Sequence, residues 1–550
     1  MNSIEVDVLY KNGKLLVAHE LSEAEENRTL ERLYLKPLKE TIELGLFSNR
    51  SLQLLIDVKS DAYRTLDAII GSLEEFPSIV NHKDVKIVIS GNRPSIDDYV
   101  KYPDFISFDY QSLEHVQDSK ILDKIAMVSL SFRKFSEWNG KGRLTGEDFI
   151  TVTEVIEKAQ ALGKPFRFWA TPDSKSAWKA FADMGVDFIN TDMPNECVSY
   201  LTTLKERVVQ NTIFSNVYQP TYESDKKART PKNIILMIGD GNGLTQISSA
   251  TLANNGELSL TQLRSIGFIK TQSADDFTTD SAGAGTAIAT GEKANNRAIG
   301  TDIHGKEILN ITEILSKKGF NTGVISTDEI TGATPSSFFA HRTDRSMIED
   351  IAADLHTSHL KLFISQPTAT VTKIEDAGFK ILADINDLGK STNEKVGAWF
   401  DVKKDETLEF YIEKLALATK NGISFLSNKE KPFFLMTEGA NIDSYAHANN
   451  VSGIITESIS FDKAITEALK FADTDKNTLV IITADHETGG LTIPQGNSNK
   501  HEIEADFTTN DHTGVMVPIF AYGPMSHEFQ GVYENNEVFH KIMKVLGVKK

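Results

Sequence analysis

The chain has 550 residues, 40% of them hydrophobic, so at roughly 100–200 residues per domain it holds several ordinary cores. With 58 basic and 77 acidic residues its formal charge is −19, which argues against general nucleic-acid binding and means that an anionic ligand needs local cations. No apolar run approaches the roughly 18 residues of a membrane span, "MNSIEVDVLY" shows no signal peptide, and Cys197 as the sole cysteine rules out an intrachain disulfide or a thiolate metal cluster.

The first 200 residues alternate short apolar runs with helical stretches: "SIEVDVLY", "LQLLIDVK", "VKIVIS", "FISFDY", "AMVSLSF", "PFRFWA" and "VDFINTD", with "TVTEVIEKAQALG" and "SAWKAFADMG" between the later ones. Such alternation predicts a parallel sheet, and seven strands in about this length predict a (β/α)8 TIM-type barrel over 1–205 that lacks one strand. Because "IEVDV" begins at residue 4, the expectation is that the chain starts inside this domain, with the opening strand upstream. Glu5 and Asp7 lie two apart on one strand face, Asp57 and Lys59 do the same, and His19 ends the hairpin-like "GKLLVAHE". Carboxylates and a histidine near barrel strands can bind Mg²⁺ or Ca²⁺; solvated strand ends have the same spacing. "SIEVDV", "LLVAHE", "LLIDVKS", "FWATPD" and "FINTDMP" together resemble the glycerophosphodiester phosphodiesterase and phosphatidylinositol phospholipase C-like barrels. That resemblance implies Glu5, Asp7 and Asp57 as metal ligands and His19 as an acid/base, with the family's other catalytic histidine on the opening strand.

Residues 206–230 turn polar, with Pro, Ser, Lys and Arg and no sustained apolar period, and read as a linker. Beyond them, over 231–550, four buried strands each run into ligand-type residues. "KNIILMIGDGNG" ends in Asp240, "FNTGVISTDEITGATP" leads to Thr334, "KPFFLMTEGANIDSYAH" carries Glu438, Asp443 and His447, and "NTLVIITADHETGG" carries Asp485 and His486. Continuous apolar runs predict a mostly parallel sheet sandwiched by helices, whose strand ends share one ligand-binding edge. Asp443 and His447, four apart, share a helix face, and His512 in "DHTGVMVPIF" can complete a set. Oxygen and imidazole donors without thiolates suit catalytic Zn²⁺. Singly, each of these residues also reads as a cap or a strand-end charge; the joint pattern points to a site. "GDGNG" is too short for a dinucleotide fingerprint, and "SAGAGTAIATGEK" lacks the Gly-Lys-Ser/Thr of a P-loop.

"GDGNG", "TDSAGAGTAIATG", "ATPSSFFAHRTDR", "TEGANIDSYAH", "TADHETGG" and "HTG", in this order and spacing, closely resemble the alkaline phosphatases over 232–524. The resemblance implies two Zn²⁺ and one Mg²⁺: Asp443, His447 and His512 on one zinc, Asp240, Asp485 and His486 on the other, and Asp240 bridging to Mg²⁺ with Thr334 and Glu438. It implies Ser281 as the nucleophile and Arg345 as the phosphate clamp, on small phosphate monoesters, with a periplasmic or extracellular location and a homodimer as expectations. Two positions depart from the pattern: Gly332 stands where bacterial relatives often have an Asp near the Mg²⁺, and Ser444 replaces a Lys or His. A phosphodiesterase of the same superfamily is the alternative reading, with the first domain as a binding or structural module; no sulfatase motif is present. The run Ala282–Gly285 is expected to keep side chains away from Ser281 and to let its helix approach the sheet closely.

Overall fold

The computed structural model describes residues 2–46, 51–368, 370, 374, 376–400 and 408–549. It divides into two compact units, Met1–Lys205 and Glu206–Lys550.

The first unit is built on seven strands: β1 (Ser3–Lys11), β2 (Lys14–Val17), β3 (Leu52–Val58), β4 (Val85–Gly91), β5 (Ile106–Tyr110), β6 (Ile125–Ser131) and β7 (Phe166–Trp169). Their order is β2-β1-β3-β4-β5-β6-β7. All pairs are parallel except the β1–β2 hairpin, and Asp7 lies level with Asp57 on the neighbouring strand. Glu5 on β1 and Arg167 on β7 form an ion pair at 2.6 Å. Five steps of about 4.8 Å separate these strands along the sheet, so a direct contact requires the sheet to curl round on itself. "VDFINTD" does not become a full strand: only Phe188 bridges, in parallel, to Arg167 on β7. The polar tail of that segment is held by side chains instead, with Asn190 receiving a hydrogen bond from Arg167 Nη1 at 3.1 Å.

The second unit carries a ten-stranded sheet. Its strands are β9 (Asn233–Gly239), β10 (Ser265–Lys270), β11 (Asn321–Glu329), β12 (Leu362–Gln366), β13 (Lys380–Leu382), β14 (Val396–Trp399), β15 (Phe433–Gly439), β16 (Thr478–Ala484), β21 (Val517–Tyr522) and β22 (Gly531–Glu534). The order is β13-β14-β12-β11-β15-β9-β16-β21-β10-β22, parallel throughout except that β21 runs against both its neighbours. Every residue of β9, β15 and β16 is buried. Ile235 and Met237 of β9 enter one apolar cluster, with the long helix Val451–Asp475, while Ile234, Leu236 and Ile238 enter the other, with Ser281–Thr290 and Glu537–Leu546. Alternation along one strand into two cores is what a sheet covered on both faces requires, and it explains the unbroken apolar runs.

Residues 206–230 are not a free linker. β8 (Val208–Gln210) pairs antiparallel with β19 (Glu502–Phe507), which pairs in turn with β18 (Leu491–Asn497). Further along, Tyr218 Oη, Thr221 N and Thr221 Oγ1 donate to the Asp473 carboxylate at 2.8, 2.9 and 2.7 Å. A polar segment without apolar period can still be fixed when its hydrogen bonds end on a buried carboxylate, which periodicity does not reveal.

Candidate active site

Strand register assembles the site. Gly439 of β15 and Ala484 of β16 both lie level with Gly239 of β9, so Asp240 and Asp485 leave adjacent strands at the same height, and Glu438, level with Ile238, sits two residues below them. Asp443 and His447 come from the helix Asn441–His447 just past β15. His512 lies on β20 (His512–Thr513), which pairs with β17 (Glu487–Thr488) and so swings back over the strand ends. Thr334 sits in the short helix Ala333–Ser336 after β11.

Two groups of three donors result. Asp240, Asp485 and His486 form one, Asp443, His447 and His512 the other, with the ligand atoms of each within 4.8 Å of one another. In the first, His486 Nε2 is 3.4 Å from Asp240 Oδ1 and 3.2 Å from Asp485 Oδ2. In the second, His447 Nε2 is 3.2 Å from Asp443 Oδ2 and 3.1 Å from His512 Nε2. The His486 and His512 rings stack at 3.6 Å, joining the two groups.

Hydrogen bonds on the far side of each ring fix the tautomers. His447 Nδ1 meets Asn510 O and His512 Nδ1 meets Thr279 O, both at 2.7 Å, and a carbonyl can only accept. The Nε2 atoms of those rings therefore turn lone pairs toward each other across a gap that a proton or a cation must bridge. Thr488 Oγ1 gives its proton to Asp443 Oδ1 at 2.5 Å, so it accepts from His486 Nδ1 at 3.1 Å. His486 Nε2 is then a bare acceptor among carboxylates. Asp240 Oδ1 and Asp485 Oδ2 are buried with no hydrogen-bond partner, and the Thr334 hydroxyl, facing Glu438, makes no well-formed one. A donor set rich in unshared lone pairs and poor in protons fits divalent cations.

The electrostatics agree. Burial, then the charges of Asp485 and Asp443, hold the Asp240 carboxyl well above the usual range. Burial and Asp443 push Asp485 up to about 6, and burial with Asp328 pushes Glu438 up to about 8. Burial lowers His486 to about 4, while the hydrogen bond to Asp443 lifts His447 to about 9. Carboxylates crowded until they resist ionisation are stabilised by positive charge placed among them.

Ser281 opens the helix Ser281–Thr290, all ten residues of which are buried, and its Oγ lies 3.3 Å from His486 Nε2. Asp280 caps that helix, accepting from Gly283 N at 2.9 Å and Arg297 N at 3.0 Å, and pairs with Arg345 Nη1 at 3.1 Å. One carboxylate thus sets both the serine's helix and the arginine. Sequence reading passed over this role, although Asp immediately before a helical run is a cap signal. Of the two reasons expected for the small residues, room for close packing of the helix is the one that their surroundings match. A Cβ on Gly285 would meet Ser337 Oγ at 2.9 Å and Thr334 Cα at 3.4 Å, and one on Gly283 would meet Asn295 O at 3.2 Å. The two glycines let the neighbouring chain approach this closely.

In the first unit, Glu5, Asp7 and Asp57 also come together. Each already has a basic partner: Arg167 binds Glu5 through both terminal nitrogens, Lys59 reaches Asp57 at 2.8 Å and Asp7 at 3.4 Å, and His19 Nδ1 lies 2.9 Å from Asp7.

The covered parallel sheet, with two groups of three Asp and His donors at its strand ends, is an α/β architecture able to hold divalent cations. Residues 231–375, 371–506 and 495–548 match the alkaline phosphatase family. Alkaline phosphatase 4 of Bacillus subtilis (strain 168) is 31% identical over 408 residues, 57% of this chain and 88% of that protein. The alkaline phosphatase of Escherichia coli (strain K12) is 30% identical over 415 residues, 59% and 88% of the two chains. The solved alkaline phosphatase of the Antarctic bacterium TAB5 is 41% identical, with a TM-score of 0.54, over 59% of this chain and 100% of that one. The chain belongs to the alkaline phosphatase family. Residues 165–195 match the glycerophosphoryl diester phosphodiesterase family, a likeness confined to β7 and the helix and bridge that follow.

Proposed function

We propose that the second unit hydrolyses small phosphate monoesters through a phosphoserine on Ser281, at a site for two Zn²⁺ and one Mg²⁺. The observation that carries the reading is the Ser281 hydroxyl beside the bare Nε2 of His486, at the head of a buried helix. Asp240, Asp485 and His486 would hold one zinc, Asp443, His447 and His512 the other, and Asp240, Thr334 and Glu438 the magnesium. When bound, the cations supply the Lewis acidity that lowers the serine pKa, steadies the leaving oxygen and activates water.

Ser281 Oγ attacks phosphorus, the P–O bond to the leaving alcohol breaks, and the alcohol takes a proton. Water then attacks the phosphoserine, releasing inorganic phosphate and restoring the hydroxyl. The helix N-terminus favours the phosphate's negative charge at Ser281. Arg345, oriented by Asp280, grips two non-bridging oxygens through its planar fork. His486 is kept in one tautomer by Thr488, so its Nε2 stays turned toward Asp240, Asp485 and Ser281.

Ser281→Ala tests the scheme: the variant should keep its metal content and lose nearly all monoester turnover, and retained wild-type rates would refute it. The gathering of Glu5, Asp7 and Asp57 favours a second reading, a phosphodiesterase-like site in the first unit that feeds monoesters to the second. Diester hydrolysis by this chain, lost in Asp57→Asn, would support it; monoester hydrolysis alone would leave the first unit a binding or structural module.

A further inference from the structure

Gly332 is a glycine without a backbone reason. Its φ is −59°, open to any residue, yet a Cβ there would overlap Asp328 Oδ2, with Asp328 Cγ at 2.8 Å and Glu329 O at 3.0 Å. The space that a side chain at 332 would take is filled by the Asp328 carboxylate. The absence of a side chain at one position and the presence of a carboxylate from another are one feature.

The local backbone aims Asp328 there. On its β12 side the β11 ladder is irregular between Ile325 and Glu329, while on the other side Ser326 stays level with Glu438. A strand freed from its ladder on one side can re-aim a side chain, as bulges beside active sites do. Asp328 N donates to Ser326 Oγ at 2.9 Å, and Ser326 Oγ donates to Glu438 Oε2, so the turn and the buried glutamate are coupled. Glu329 N donates to Asp328 Oδ1 at 2.7 Å, which leaves Oδ2 as the oxygen over Gly332. Asp328 itself is exposed to solvent, while Ser326 and Glu438 beside it in the chain of hydrogen bonds are buried. Its charge acts on Glu438, and that of Arg345 acts on it. The Thr334 hydroxyl, 1% exposed and facing Glu438, makes no well-formed hydrogen bond, and Asp240 Oδ1 is likewise unpartnered.

From these we infer that Asp328 is a carboxylate of the third cation site, reaching it through the gap at Gly332 to join Asp240, Glu438 and Thr334. This rests on the three-cation reading given above. Asp328 would neutralise and orient the cation or its bound water, a contribution that a structural role in the β11 turn would not make.

The test is a calorimetric titration of zinc-loaded protein with Mg²⁺, with zinc content and melting temperature read alongside. Asp328→Asn, which is isosteric, should keep two zincs per chain and lose about 10- to 100-fold in Mg²⁺ affinity, the loss seen when a supporting ligand is removed. Gly332→Ala, which keeps the charge but takes its space, should do the same. The exchange Asp328→Ala with Gly332→Asp, which moves the carboxylate to the other backbone position, should restore affinity to within about threefold of wild type. Mg²⁺ affinity unchanged in both single variants would overturn the assignment of Asp328 alone. A wild-type protein that loads two zincs and no Mg²⁺ would instead overturn the three-cation reading and the assignment with it.

Discussion

Replacing Arg345 by alanine removes the guanidinium that pairs with Asp280, the residue before Ser281, and that is proposed to grip the phosphate. Arg345 Nη1 pairs with Asp280 at 3.1 Å, and its side chain is 35% exposed. A hydrogen bond to a charged group contributes about 1.5–3 kcal/mol, so a two-pronged grip contributes at most about 6 kcal/mol. Solvent around a side chain this open screens part of that, leaving about 3–4 kcal/mol. At about 1.4 kcal/mol per decade, kcat/KM should fall by about 10²–10³. Lysine keeps the charge and loses the fork, so Arg345→Lys should cost about tenfold. The helix cap survives either change, because Asp280 still accepts from Gly283 N and Arg297 N. Stability should therefore move by less than about 1 kcal/mol. Steady-state hydrolysis of p-nitrophenyl phosphate, normalised to zinc content, reads the effect. Arg345→Ala within threefold of wild type would refute the phosphate-clamp reasoning.

Chelation should abolish monoesterase activity and lower the melting temperature, because Asp240, Asp485 and Glu438 are left crowded without countercharge; re-addition of Zn²⁺ and Mg²⁺ should restore both, and activity that persists after complete metal removal would contradict the cation reading. Asp473→Asn should destabilise the second unit by about 2–4 kcal/mol at pH 7, since Tyr218, Thr221 and Tyr522 all donate to that carboxylate. Burial works to raise Asp473, but those bonds win and its folded pKa lies below the unfolded one. The stabilisation is therefore full above about pH 4 and disappears as the pH falls through the folded pKa, so denaturant unfolding should show a penalty that shrinks only in that acid range. Gly91→Ala should destabilise the first unit by about 2–5 kcal/mol: φ is +69°, and the new Cβ would overlap Asp57 Oδ1 and lie 2.5 Å from Val58 O. Near-ultraviolet dichroism during denaturation checks this, and an unchanged midpoint would contradict it.

The strand ends were legible because a doubly covered parallel strand cannot hide its polarity: Asp240 and Asp485 stand out directly after buried seven-residue strands, and Glu438 stands out near the end of a third. His447, four residues from Asp443, and His486, next to Asp485 at a strand end, were legible from spacing, whereas Ser281 was singled out as a nucleophile by family motifs alone. What escaped was whatever depends on side chains meeting across distant segments. Asp280 reads as a charge in a loop until Arg345, 65 residues on, is seen against it. Thr488 carries no sequence signal until its hydroxyl is found accepting from His486 Nδ1 and donating to Asp443 Oδ1. Gly332 reads as a lost carboxylate until Asp328 is found filling its space. In the first unit the strands were visible, but the pairing of Glu5 with Arg167 was not, because the two are 162 positions apart and meet only through the curl of the sheet. Residues 206–230 look unstructured by composition and are fixed by hydrogen bonds to Asp473 and by a three-residue strand.

The most direct test of the account is where phosphate goes in a single turnover. The metal-loaded protein, mixed with a radiolabelled phosphate monoester, quenched in acid and digested, should carry the label on the peptide containing Ser281, at up to one phosphate per chain. Label on another residue, or full turnover with none trapped on the protein at any quench time or pH, would contradict the phosphoserine mechanism.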